Sequence, residues 1–264
     1  MEKTWFFSLD SIIIITEKVG YMKATLLIKD IHKLYATIQG KDAFMCIDHA
    51  FVAIHHDTII DLGNHAYQCW VDKDTRIIDA TNEIVVPAFI DTNVTFSFDR
   101  RSGDNVRINH ETMELFYKNG ITSVASKKLP EMASTPFYQL YPCTRKRMPP
   151  LIDYEDLQIS ALPPNFLLTT SFAYDTKPYY DLLPLASLLC IEGKASEWEV
   201  LAAMTLRGAR VLHLTKKNGI RKGAIADLLI FHASDLHELF HSFGRPRLHR
   251  IIHHGVHIYP HVIV

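Results

Sequence analysis

Ile77-Ile78-Asp79-Ala80-Thr81-Asn82-Glu83-Ile84-Val85-Val86-Pro87-Ala88-Phe89-Ile90-Asp91 is the stretch on which the reading of this chain turns. Its first part, with Arg76, has the alternating, β-branched character of a short strand over Arg76–Ala80. Its second part, Val85–Ile90, is apolar at every position, the composition of strands covered on both faces. One kind of strand therefore gives way to another within fifteen residues.

On the N-terminal side, Ala24–Ile31, Phe51–Ile54 and Thr58–Leu62 are further short strands, with a hairpin turn at His55-His56-Asp57. At the far end Ala226–Phe231, Leu248–Ile252 and Val256–Val264 are again strand-like. Between these β-rich ends the period changes. Glu111–Lys118 and Ser196–Leu214 carry helical spacing, the latter opened by a capping box of Ser196 and Glu199. Ile121–Ala125, directly after the helix stop Gly120, and Phe166–Thr170 are buried-strand candidates. Lys127–Pro164 is rich in proline and reads as a long loop. This order predicts an α/β chain in which residues 22–83 and 215–264 build one composite β-sandwich around an inserted α/β unit over 84–214. Met22 is read as the functional start, with 1–21 an N-terminal extension.

Composition excludes several classes. Of 264 residues 48% are hydrophobic and 22% charged, and the net charge is −1. That balance gives no electrostatic case for nucleic acid or for an anionic membrane. The apolar stretch near the N-terminus is interrupted by Asp10 and is too short to span a bilayer. Cys46, Cys69, Cys143 and Cys190 are far apart and form no CxxC pair, so they read as buried thiols of a reducing compartment. A cytoplasmic location is the expectation.

The opening stretch resembles the amidohydrolase superfamily, where a sandwich strand with a "DA-G-ViPGfID" pattern leads into the first barrel strand. Gly219–Leu228 is similar to that superfamily's "GsI-xGk-ADlvv" return strand. Three further stretches resemble imidazolonepropionase: Asp235–Arg245 its "eLpYhfG", Leu167–Pro178 its "ALaTDfNPGtsP", and Pro149–Asp153 its "PPIdlL". The resemblance covers most of residues 22–260. It implies a TIM-like barrel flanked by a small β-sandwich and, for the intact family, metal-dependent hydrolysis of a C–N bond in a cyclic amide with zinc or iron.

Against that pattern the ligands are missing. The family's His-x-His follows its "ID-x", and here those positions hold Asn93 and Thr95. The last-strand aspartate falls on Ser171 in the ungapped match, with Asp175 four residues on. Neutral amide and hydroxyl groups do not compete for transition metals. Only His110 and His213, of fifteen histidines, lie between Ile84 and Leu214. Asn109-His110-Glu111 resembles the family's "DHLE", which would make His110 an active-site residue. Gly120–Val124 resembles its "GvTTVe", which would make His110 a helix-start surface residue instead. Asp91, His110 and Asp175 are the remaining candidate remnants. A closed eightfold barrel takes about 250 residues, far more than 84–214 supplies, so the barrel is expected to be partial. The C-terminal histidines His249, His253, His254, His257 and His261 read as surface substitutions, and the basic run Arg145-Lys146-Arg147 as a solvated loop. The expectations are then a catalytically degenerate imidazolonepropionase-like protein with no metal or other cofactor, and a binding or assembly role. Its predicted state is a homodimer or a complex with a longer partner. The alternative is an active hydrolase of cyclic-amide C–N bonds.

Overall fold

The computed structural model describes residues 22–41, 43–95, 110–126, 139–142, 148–173, 176–217, 219–244 and 247–259. The expected extension 1–21, Asp175, the basic run at 145–147 and His261 lie outside the described residues. In chain order the strands are β1 (Leu26–Thr37), β2 (Phe44–His55), β3 (Thr58–Gly63), β4 (Arg76–Asp79), β5 (Ile84–Pro87), β6 (Phe89–Val94), β7 (Ile121–Ser126), β8 (Gln139–Pro142), β9 (Leu151–Ile152), β10 (Leu167–Leu168), β11 (Leu228–Phe231), β12 (Leu248–His253) and β13 (Val256–Tyr259). The helices are α1 (His110–Lys118), α2 (Leu183–Ile191), α3 (Glu197–Met204), α4 (Leu206–Val211) and α5 (Leu236–His241).

The chain is mixed α/β and dominated by one eight-stranded sheet, ordered β13-β12-β11-β5-β1-β2-β3 with β4 also paired to β1. Strands from both ends of the chain meet where β11 pairs antiparallel with β5, Leu228 opposite Pro87 and Phe231 opposite Ile84. Both strands are buried on two faces. Leu229 and Phe231 join one apolar cluster while Leu228 and Ile230 join the other, and Ile84 and Val86 are likewise divided from Val85. This is the period of two expected of a pleated strand, and it explains the unbroken apolar composition.

Pro87 marks the hand-off to a second sheet. The Ala88 N–H donates to the Asp227 carbonyl at 3.0 Å, and the Phe89 N–H donates to Gly120 O at 3.0 Å. From there the chain runs in a three-stranded parallel sheet, β6-β7-β8, with β9 and β10 forming a separate parallel pair. Gly120 makes the α1–β7 turn at φ +80°, and a Cβ there would lie 2.7 Å from Leu229 Cδ1. Glycine is the residue that fits both the left-handed backbone and the close approach.

Three expectations change. The helical spacing over Ser196–Leu214 is divided into α3 and α4 at Thr205, whose hydroxyl donates to the Leu201 carbonyl at 2.6 Å and whose backbone leaves the helical region. The proline-rich stretch 127–164 is not loop throughout: it holds β8, β9 and a 3₁₀ turn over Tyr154–Gln158 capped by Asp153. The helix α2 carried no sequence signal because Leu183–Ile191 is apolar on nearly all sides and shows no polar face, even though Ile191 is half exposed. Among the described residues no helix is long and apolar enough to cross a membrane.

Candidate functional site

The C-terminal end of β6 gathers the residues that the sequence marked. Asn93 Nδ2 donates to Ser171 Oγ at 3.2 Å, linking positions 78 residues apart. The Thr95 N–H donates to the Phe172 carbonyl at 2.7 Å, and Thr95 bridges to Ala173. Ser171 sits at φ +49°, a left-handed conformation uncommon for a residue with a side chain. Its N–H is held by Thr169 Oγ1 at 3.0 Å, and its hydroxyl bonds the Asp153 carboxylate. Burial alone would raise the Asp153 pKa, but Ser171, the Glu155 N–H and the Lys177 ammonium at 3.1 Å together lower it. His110 is the first residue of α1, the helix that leads through Gly120 into β7.

Asp91 is the centre of this network and is fully buried. Thr169 Oγ1 donates to its Oδ1 at 2.6 Å and the Asn93 N–H to the same atom at 3.2 Å. The Thr170 N–H and hydroxyl donate to Oδ2 at 3.0 and 2.5 Å. Burial nonetheless pushes the Asp91 carboxyl above its ordinary value, the four donors opposing that shift without cancelling it. A carboxylate offers about four lone-pair sites, and here all are taken by protein donors. Asn93, Thr95 and Ser171 contribute amide and hydroxyl groups, and no imidazole reaches Asp91 among the described residues. The residues at this strand end do not fit a transition-metal ion. The buried pair Thr169-Thr170 escaped the sequence reading, although its position within the "ALaTDfNPGtsP" resemblance was a usable signal.

The expectation of no metal is corrected elsewhere in the molecule. Three groups of side chains each bring imidazole and carboxylate ligand atoms within 4.8 Å of one another: Glu83 with His232 and His249, Glu197 with His237 and His241, and Asp227 with His253 and His254. Three of the C-terminal histidines read as surface substitutions thus belong to such groups. They were missed because each group joins residues from distant parts of the chain. His257, by contrast, bonds the Tyr259 carbonyl at 2.8 Å, and burial lowers its pKa. In the Asp227 group both carboxylate oxygens are already engaged. Lys217 Nζ lies 2.5 Å from Oδ2, and the His254 N–H donates to Oδ1 at 2.8 Å.

No family model matches the sequence, and no curated protein matches it. Solved structures do. An enamidase described as a member of the amidohydrolase superfamily matches with a TM-score of 0.63 at 11% identity, over 88% of this chain and 95% of that chain. An adenosine deaminase from Xanthomonas campestris, with bound zinc, matches at 0.59 and 11% identity, over 89% and 93%. The guanine deaminase of E. coli matches at 0.56 and 10% identity, over 88% and 98%. The neighbours' bound zinc stands with the three ligand groups against the expectation that metal plays no part. At such identities the likeness is one of backbone, and what it establishes is an amidohydrolase-type fold.

Proposed function

We propose that this chain is a catalytically degenerate amidohydrolase-type protein, imidazolonepropionase-like in descent, which acts by binding and not by hydrolysis at the β6 strand end. The observation that carries the reading is the saturation of Asp91. Its two oxygens accept four hydrogen bonds from Thr169, Thr170 and Asn93. A metal-dependent hydrolase of this fold needs a cation there to lower the pKa of a water and polarise the scissile carbonyl. A carboxylate with no free lone pair and neutral neighbours supplies neither ligand field nor general base. What the site offers instead is a polar floor of hydroxyl and amide groups beside the Asp153–Lys177 pair, suited to hydrogen-bonding a small polar ligand.

The second reading is an active hydrolase of cyclic-amide C–N bonds of the imidazolonepropionase type. The fold likeness favours it, as does Asp91, a carboxyl with a raised pKa at a strand end. Assay of protein loaded with zinc or iron on a panel of cyclic amides separates the two. The expected result is no turnover above the protein-free blank. Turnover that disappears in Asp91→Asn would overturn the binding reading and establish the hydrolase.

A further inference from the structure

We propose that Glu83, His232 and His249 form a binding site for a divalent transition-metal ion, such as zinc, on the large sheet and apart from the β6 strand end. This inference is independent of the reading of Asp91. Three neighbouring strands supply the ligands. Ile84 of β5 lies opposite Phe231 of β11, which places Glu83 across from His232 just beyond the ends of those strands. His232 is fixed through its backbone: its N–H donates to the Arg247 carbonyl at 2.9 Å, and its own carbonyl accepts from the Arg247 guanidinium at 2.9 Å.

The third ligand depends on an irregularity. The β11–β12 register shifts between Ile230, opposite Arg250, and Phe231, opposite Leu248, leaving His249 as the extra residue of a bulge. Successive side chains of a regular strand point to opposite faces, whereas a bulge re-aims one of them. The consequence is visible in Glu83, which both His249 and Arg250 reach. His249 Nδ1 meets Oε1, and Arg250 donates to Oε2 at 2.8 Å. His232 Nδ1 lies 3.0 Å from the same Oε1, and the two imidazole rings are stacked 4.1 Å apart.

Two imidazole nitrogens converging on one oxygen of a buried carboxylate is the arrangement that a cation completes. A tetrahedral ion at zinc distances holds its ligand atoms about 3.4 Å apart; the three ligand atoms here lie within 4.8 Å of one another, and a small outward rotation of the two imidazoles from Oε1 admits the ion. Imidazole and carboxylate donors suit zinc and its transition-metal neighbours better than magnesium or calcium. Arg250 on the far oxygen then plays the part of an outer hydrogen-bond partner that orients a ligating carboxylate. His232 is 62% exposed in its side chain, so one side of the site is open to solvent for a fourth ligand. Neither of the other two groups combines these features. Both oxygens of Asp227 are held by Lys217 and the His254 N–H, which are not ligands, and in the Glu197 group, where His237 and His241 also converge on one carboxylate oxygen, that carboxylate is 25% exposed against 4% for Glu83.

The test is zinc titration of chelator-treated protein by calorimetry at pH 7.5, repeated with His232→Ala, Glu83→Gln and His237→Ala. His232→Ala is the decisive variant because this exposed side chain contributes little to the core. One equivalent of zinc should bind the parent chain, at least about tenfold more weakly in His232→Ala and Glu83→Gln, and unchanged in His237→Ala. Cobalt(II) should give visible bands of a nitrogen-ligated site in the parent that His232→Ala abolishes. Absence of zinc binding to the parent, full affinity in His232→Ala, or loss in His237→Ala would each overturn the assignment.

Discussion

Lys217 and Asp227 are the clearest case of a residue pair whose environment decides its energetics. Their side chains are only 5% and 10% exposed, and Nζ lies 2.5 Å from Oδ2. Burial by itself would raise the Asp227 pKa, but the bond from His253 and the Lys217 ammonium outweigh it and hold the carboxyl far below its ordinary value. A depressed carboxyl adds stability that is present above its unfolded pKa of about 3.9 and is lost as pH falls toward the folded value. Removing the ammonium leaves a buried charge without its partner, which costs about 3–5 kcal/mol. Lys217→Met should therefore unfold at a much lower urea concentration at pH 7, with the gap to the parent narrowing at pH 3. Equal midpoints at pH 7 would mean that solvent reaches Asp227 and screens it.

At the scale of elements, Gly120 and Gly193 form a natural comparison. Both have positive φ, +80° and +67°, but a Cβ on Gly120 would strike Leu229 Cδ1 at 2.7 Å while one on Gly193 meets nothing within 4 Å. Gly193→Ala should cost only the left-handed backbone strain, about 1 kcal/mol. Gly120→Ala should cost roughly 1–3 kcal/mol more, because the junction of α1 and β7 is pressed onto β11 and β11 cannot move without disturbing β5 and β12. Urea unfolding of the two variants gives the difference directly. Similar losses in both would show that the α1–β7 turn shifts freely. The β6-β7-β8 sheet depends on this turn, since Gly120 O accepts the Phe89 N–H where β6 begins.

For the whole molecule, we propose that the chain associates, as a homodimer or with a longer partner. The parallel sheet over β6, β7 and β8 has three strands among the described residues, and β7 is buried at all six positions. A parallel sheet of so few strands presents edges that invite pairing. Light scattering on dilute protein should give a mass above the 30.2 kDa of one chain. A stable monodisperse monomer would show instead that the proline-rich stretch before Pro164 covers the gap within one chain.

The apolar runs Leu228–Phe231 and Val85–Ile90 and the glycine stop at 120 marked strand-forming stretches by themselves, because a strand covered on both faces is apolar at every position; that Val85–Ile90 is divided at Pro87 between two sheets was not legible in it. That positions 93 and 95 carry an amide and a hydroxyl and no imidazole was equally legible, being a matter of residue type alone. Tertiary structure decided the rest. The four donors that fill Asp91 come partly from Thr169 and Thr170, some 78 residues away, and no local pattern encodes that meeting. The Glu83, His232 and His249 group spans 166 residues and depends on cross-strand register plus one bulge in β12. A slip of one residue would send His249 to the opposite face, so the same histidines read along the chain carry no ligand geometry until the β5-β11-β12 pairing places them.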